Sequence, residues 1–217
     1  MTIPDKRALR IAWTFLSAVT AIQLLAFLWI FQHRLSQSEW IAHYLFPPTP
    51  SPLAWFLALI TTLGYSAYAA RRSPLIGSLI LSPRSWKPFI GLRSVALVAA
   101  FVTGIFEEFF FRRFLMDAVA PSYGIYLQIA LSAIAFGVAH GFWGFFSGNV
   151  RGGLGATLAT GVLGGLLGIV YIVGGRSLAP CIAAHVAINL LIEPWLILAA
   201  ASGDFGRRPQ SRPPRSR

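Results

Sequence analysis

Two adjacent carboxylates, Glu107 and Glu108, stand inside one of the most apolar stretches of the chain, residues 95–115, and Arg112 follows four residues after the second. With only seven acidic residues in the whole sequence, a pair in such a setting needs a reason. A carboxylate in hydrocarbon is costly unless it is paired, hydrated or neutralised, and ionisable groups within a membrane mark functional sites. In a helix, residues four apart share a face, so Glu108 and Arg112 are placed to form an ion pair, in the favoured order with the acid N-terminal. Glu107 is turned about 100° from that pair and stays available to another partner. One carboxylate is thus neutralised while the other is left free for a different partner, and the pair is read as the catalytic centre of a hydrolase within the membrane.

The partner expected for Glu107 is His140. A turn at Pro121 to Gly124 puts the two at nearly equal distances from it, about 16 residues or roughly 24 Å of helix each, so an antiparallel hairpin brings them to one depth. Phe136 lies one turn before His140 on the same face and can pack on the imidazole. A third cluster, His185 with Asn189, is again spaced i and i+4, and its donors can converge on a developing oxyanion. From the turn at Gly174 and Gly175, His185 lies only about 10 residues in, near 15 Å, so its helix is expected to sit deeper or its preceding loop to re-enter the membrane.

The elements that must carry these groups are membrane helices. The chain of 217 residues is 56% hydrophobic and 12% charged, with a mean hydropathy of +0.65, which is too apolar for a water-soluble domain and fits a polytopic membrane protein. Apolar runs at 11–31, 53–70, 154–173 and 178–201 each approach the roughly 20 residues that a spanning helix needs. Two more, 92–120 and 125–142, carry the polar clusters and complete an all-α bundle of six transmembrane spans. Residues 74–81 are apolar but short and bounded by proline, and read as an interfacial segment. The first run is longer than the core of a cleavable signal and reads as an uncleaved anchor.

Lys and Arg set the expected orientation. Lys6, Arg7, Arg10, Arg71, Arg72, Arg84, Lys87, Arg151 and the Arg207, Arg208, Arg212, Arg215, Arg217 tail fall on one side, against Arg34 and Arg176 on the other. Both termini are therefore expected to be cytoplasmic. The net charge of +11 is read as topology signal and contact with anionic lipid at the basic loops, with no nucleic-acid partner. The segment from Gly206 onward, rich in Arg, Pro and Ser, reads as a disordered tail. Cys181 is the sole cysteine, so no intrachain disulfide is possible. Glycines four apart, Gly137 with Gly141, Gly161 with Gly165 and Gly164 with Gly168, are read as close helix contacts. In outline, residues 1–90 hold two N-terminal spans, 91–201 the bundle with the polar clusters, and 202–217 the basic tail.

Three strings taken together resemble a known family: Glu107-Glu108-Phe109-Phe110-Phe111-Arg112, then Phe136-Gly137-Val138-Ala139-His140, then His185-Val186-Ala187-Ile188-Asn189. They are similar to the EExxxR, FxxxH and HxxxN motifs of the CPBP family, the glutamic intramembrane proteases that include the type II CAAX prenyl endopeptidases. The resemblance runs from about Leu92 to Trp195. It implies that Glu107 and His140 activate a water for attack on an amide, that Glu108 and Arg112 support that carboxylate, and that His185 and Asn189 stabilise the oxyanion. It implies a membrane protein or lipidated peptide as substrate, in a multi-pass protein of the cell membrane. The chain departs from the CAAX-processing members in size, having fewer spans.

No HExxH string, no pair of intramembrane aspartates and no serine in a Gly-rich rhomboid-like setting is present. Cys181 lies four residues before His185, which permits a Cys/His dyad but leaves the glutamates unexplained. No cofactor is expected, with zinc held by Glu107, His140 and His185 as the alternative. A catalytically idle scaffold or immunity-type protein on the same fold, and a small transporter using the cluster as a proton relay, are the non-protease alternatives.

Overall fold

The computed structural model describes residues 6–32, 51–72, 90–146 and 150–202. Among these residues six helices are long and apolar enough to cross a membrane. They are α1 (Lys6–Phe31), α2 (Pro52–Arg72), α3 (Ile90–Glu108), α4 (Ile125–Phe146), α5 (Val150–Val173) and α6 (Ala179–Ala201), and α3 is continued by a π-helical segment, Phe109–Met116, and a last turn, Asp117–Val119. The protein is thus an all-helical, multi-pass membrane protein. Its outer faces carry large apolar side chains such as Trp29, Phe114, Leu158 and Val162, more than half exposed, as lipid contact demands. The apolar run at 74–81, Arg34 and the basic tail lie outside the described residues.

Helix α6 packs against α1, α2 and α3, while α4 and α5 form a close antiparallel hairpin. Glycine sets that closeness. A Cβ on Gly137 would lie 2.5 Å from the Thr157 carbonyl oxygen, and one on Gly164 would lie 2.9 Å from Cβ of Phe136. Gly104 does the same between α3 and α6, where a Cβ would come within 2.7 Å of Val186 Cγ2. Each contact falls about one turn from a residue of the polar clusters, so these small residues decide how near the chemical groups can approach.

The α5–α6 connection is closed by a left-handed cap. Gly175 has φ +62°, Arg176 N–H donates to Tyr171 O at 2.8 Å and Gly175 N–H to Ile172 O at 3.1 Å, the paired bonds of a Schellman motif. Arg176, itself at φ +65°, reaches Asp117, which also accepts from Arg113 and from the Tyr171 hydroxyl at 3.0 Å. Arg176 further donates to Gln128 Oε1 at 2.9 Å. The cation expected on the charge-poor side is therefore neutralised, and its partners tie the α3–α4 turn to the α5–α6 turn at one end of the bundle.

Candidate active site

The two glutamates close α3, and the π-helical segment begins directly after them. A π-helix accommodates more residues per turn than an α-helix and is frequent at functional sites. Its effect is to bring Glu107 nearer the Pro121 turn than straight α-helical arithmetic gives, which eases the depth mismatch expected for His185. No re-entrant loop is needed: α6 starts at Ala179, and His185 reaches both carboxylates.

Glu108 is completely buried, its Oε1 hydrogen-bonded and its Oε2 held by ion pairing. Arg112, equally buried, pairs with it at 2.9 Å from Nε to Oε2, although the N–H is not aimed along that line, and Nη2 donates to Oε1 at 3.4 Å. His185 Nδ1 meets the same Oε1 at 2.8 Å. The rest of the guanidinium is used as well: Nη1 donates to Ser132 Oγ at 2.7 Å, and the Ser132 hydroxyl donates to Phe111 O at 3.2 Å. The expected Glu108–Arg112 pair is present, but the sequence did not anticipate that His185 would join it.

Glu107 differs in bordering a cavity and in what its Oε2 faces. Its Oε1 accepts from Gln23 Nε2 at 3.2 Å, and its buried Oε2 has no hydrogen-bond donor. That oxygen faces two imidazoles, His140 Nε2 at 3.5 Å and His185 Nε2 at 3.7 Å, both beyond direct hydrogen-bond range. His140 Nδ1 lies 2.9 Å from the Phe136 carbonyl, which can only accept, so Nδ1 carries a proton. In the neutral ring Nε2 is then a lone-pair acceptor pointing at a second acceptor.

Phe136 organises the cluster from the centre. Its ring, fully buried, stacks on His140 at 4.3 Å and 24°, meets His185 edge-on at 5.5 Å and 61°, and lies 5.3 Å below the Arg112 guanidinium. Asn189 lines the cavity one turn along α6 from His185. Every site residue expected from the sequence, Glu107, Glu108, Arg112, Phe136, His140, His185 and Asn189, thus converges on one region. Cys181 does not take part: it is buried, with its thiol 3.4 Å from Leu167 O on α5.

The cavity has a volume of about 460 Å³ and runs between α1 and α6. Apart from the cluster it is lined mainly by apolar residues, among them Ile11, Phe15, Val19, Ile192, Leu196 and Ala200, with Tyr65 from α2. Four polar residues of its lining, besides Tyr65, escaped the sequence reading: Gln23, Thr103, Thr160 and Glu193. A lone amide in an apolar span was a signal for Gln23, and Glu193 continues the i, i+4 series of His185 and Asn189. Among the described residues, no group of three or more His, Cys, Asp or Glu is arranged to hold a metal ion.

Residues 90–191, a little under half of the chain, match the family described as Rce1-like, type II CAAX prenyl endopeptidase. No curated protein and no solved structure matches the chain. The matched segment contains all three motifs and excludes α1, α2 and Glu193.

Proposed function

We propose that the chain, whose residues 90–191 match the Rce1-like type II CAAX prenyl endopeptidase family, is a glutamic-type intramembrane endopeptidase. The observation that carries this reading is the facing pair of acceptors, Glu107 Oε2 and His140 Nε2, 3.5 Å apart beside an apolar cavity. Two acceptors in apolar surroundings need a shared donor, and a water supplies one hydrogen to each. Such a water is polarised by both and stands where a substrate carbonyl can reach it.

The reaction then follows the groups present. The water oxygen bonds to the carbonyl carbon of the scissile amide as its proton passes to Glu107 or His140, and the carbonyl π electrons move onto oxygen. The Asn189 amide and His185 Nε2 face this charge. His185 can donate from Nε2 only as an imidazolium, since Nδ1–H is committed to Glu108, and the two carboxylates at 2.8 and 3.7 Å balance that charge. Collapse of the tetrahedral intermediate breaks the C–N bond as the held proton passes to the leaving nitrogen, releasing an acid and an amine. Glu108 and Arg112 hold His185 in place.

The substrate on this reading is a membrane-anchored or lipidated protein segment, whose apolar part occupies the cavity between α1 and α6. Residues 1–90 flank the catalytic bundle of 91–201, and both termini, with the 202–217 tail, lie on the cytoplasmic side beside anionic lipid. The test is cleavage of a prenylated C-terminal peptide by the purified protein in lipid vesicles, run in ¹⁸O-water. Parent protein is expected to put the label into the new carboxyl terminus. Glu107→Gln and His140→Gln should each lower the rate by roughly 10²–10⁴. Equal product from parent and Glu107→Gln would remove Glu107 from the mechanism.

A further inference from the structure

Gln23 lies in the middle of α1, outside the segment that matches the family. It sits in an apolar run of that helix and faces the cavity. Its side chain makes two defined bonds to α3. The Thr103 hydroxyl donates to Gln23 Oε1 at 2.6 Å, and Gln23 Nε2 donates to Glu107 Oε1 at 3.2 Å. Thr103 and Glu107 are one helical turn apart, so the amide bridges two groups on a single face of α3.

The orientation of that amide is determined. Were it flipped, the carbonyl oxygen would face a carboxylate oxygen, two acceptors in contact, so the carboxylate fixes the NH₂ group toward Glu107 and the Thr103 hydroxyl, which can donate or accept, anchors the other end by donating to Oε1. A carboxylate held at one oxygen has its other oxygen directed. Oε2 is the one that looks at His140 and His185. A free carboxylate would rotate and offer either oxygen.

We infer that Gln23, set by Thr103, is a positioning residue that holds Oε1 of Glu107 and thereby turns Oε2 to the histidines. The inference rests on the reading of Glu107 as the base. Its consequence is that the site is incomplete without α1: the motif-bearing segment supplies the reacting groups, and an N-terminal span orients one of them.

The experiment uses full-length protein in lipid vesicles and two readouts. The first is the infrared carboxylate stretch of Glu107, isolated by subtracting the spectrum of Glu107→Gln, which is practicable because the chain has only seven acidic residues. The second is kcat and KM on the prenylated peptide. Gln23→Leu and Thr103→Val are expected to move the Glu107 band, and Thr103→Ser, which keeps the hydroxyl, to return it. A hydrogen bond to a charged group predicts a fall in kcat of roughly ten- to a hundredfold with KM unchanged, again restored by Thr103→Ser. An unmoved band in both Gln23→Leu and Thr103→Val overturns the inference whatever the activity, and so does a loss confined to KM. A band that moves in a parent protein that cleaves nothing would leave the orientation of Glu107 standing and remove the protease reading instead.

Discussion

Arg112→Met tests whether the two glutamates have the separate duties assigned to them. The substitution keeps an unbranched apolar stem but removes the guanidinium that pairs with Glu108 at 2.9 Å and donates to Ser132 at 2.7 Å, in a place where neither Arg112 nor Glu108 has any exposed surface. Breaking a fully buried pair from one side costs about 3–5 kcal/mol, because the remaining charge has no compensation. His185 still meets Glu108 Oε1 at 2.8 Å and offsets part of the loss, so the lower end, about 3 kcal/mol, is the expected value. For a domain of this size that corresponds to a drop in melting temperature on the order of 10 °C. Removing both charges, in Glu108→Leu/Arg112→Met, should be milder than the sum of the single changes, with a coupling on the order of 2 kcal/mol. Glu107→Gln keeps an oxygen acceptor for Gln23 and loses only a charge, so its stability should stay within about 1 kcal/mol of the parent. The assay is thermal unfolding in detergent, with all variants beside the parent. If Glu107→Gln is the least stable of the set, or if Glu108→Leu and Arg112→Met add without coupling, the roles of the two glutamates are wrongly divided.

The helix contacts give a graded series: Gly137→Ala, whose Cβ would meet the Thr157 backbone oxygen at 2.5 Å, should cost about 1–3 kcal/mol in thermal unfolding, whereas Gly155→Ala, with nothing within 4 Å, should be neutral or slightly stabilising. Gly164→Ala presses on Phe136 at 2.9 Å and should reduce cleavage more than its loss of stability accounts for, because Phe136 is the ring stacked on His140; equal losses would count against that link. Asp117→Asn should lower the melting temperature by weakening the bonds to Arg113, Arg176 and Tyr171 while leaving kcat near the parent value, since this cluster lies at the α3–α4 turn rather than on the cavity. Strong chelators should leave cleavage unchanged; one zinc per chain, with activity lost on its removal and restored on its return, would move the mechanism to metal-assisted hydrolysis.

How much of this was legible in the sequence differs from residue to residue. The six helices follow from run length and hydropathy, which is why their bounds fall within a few residues of those read from composition. Glu108 with Arg112 and Phe136 with His140 were readable because each pair is local, four residues apart on one helix. The Glu107–His140 approach was readable because a short hairpin turn fixes the relative depth of its two arms. His185 was harder, since the π-helical segment changes the register of α3 in a way that no periodicity in Phe109 to Met116 announces. The bridge from Gln23 to Glu107 was not legible at all. It joins residues 84 apart in sequence, and although a lone amide in an apolar span marks Gln23, nothing in α1 says which helix that amide meets.

The central claim is that Glu107 is the base of a proteolytic site, and the membrane proteome tests it most directly. Mass spectrometry of membranes from cells carrying either the parent chain or Glu107→Gln, at matched expression and membrane insertion, reads both the substrate and the bond. The account predicts at least one membrane-anchored or lipidated protein with a new terminus in parent cells that is missing in Glu107→Gln cells. Identical sets of termini in the two, with both proteins folded and inserted, would contradict it.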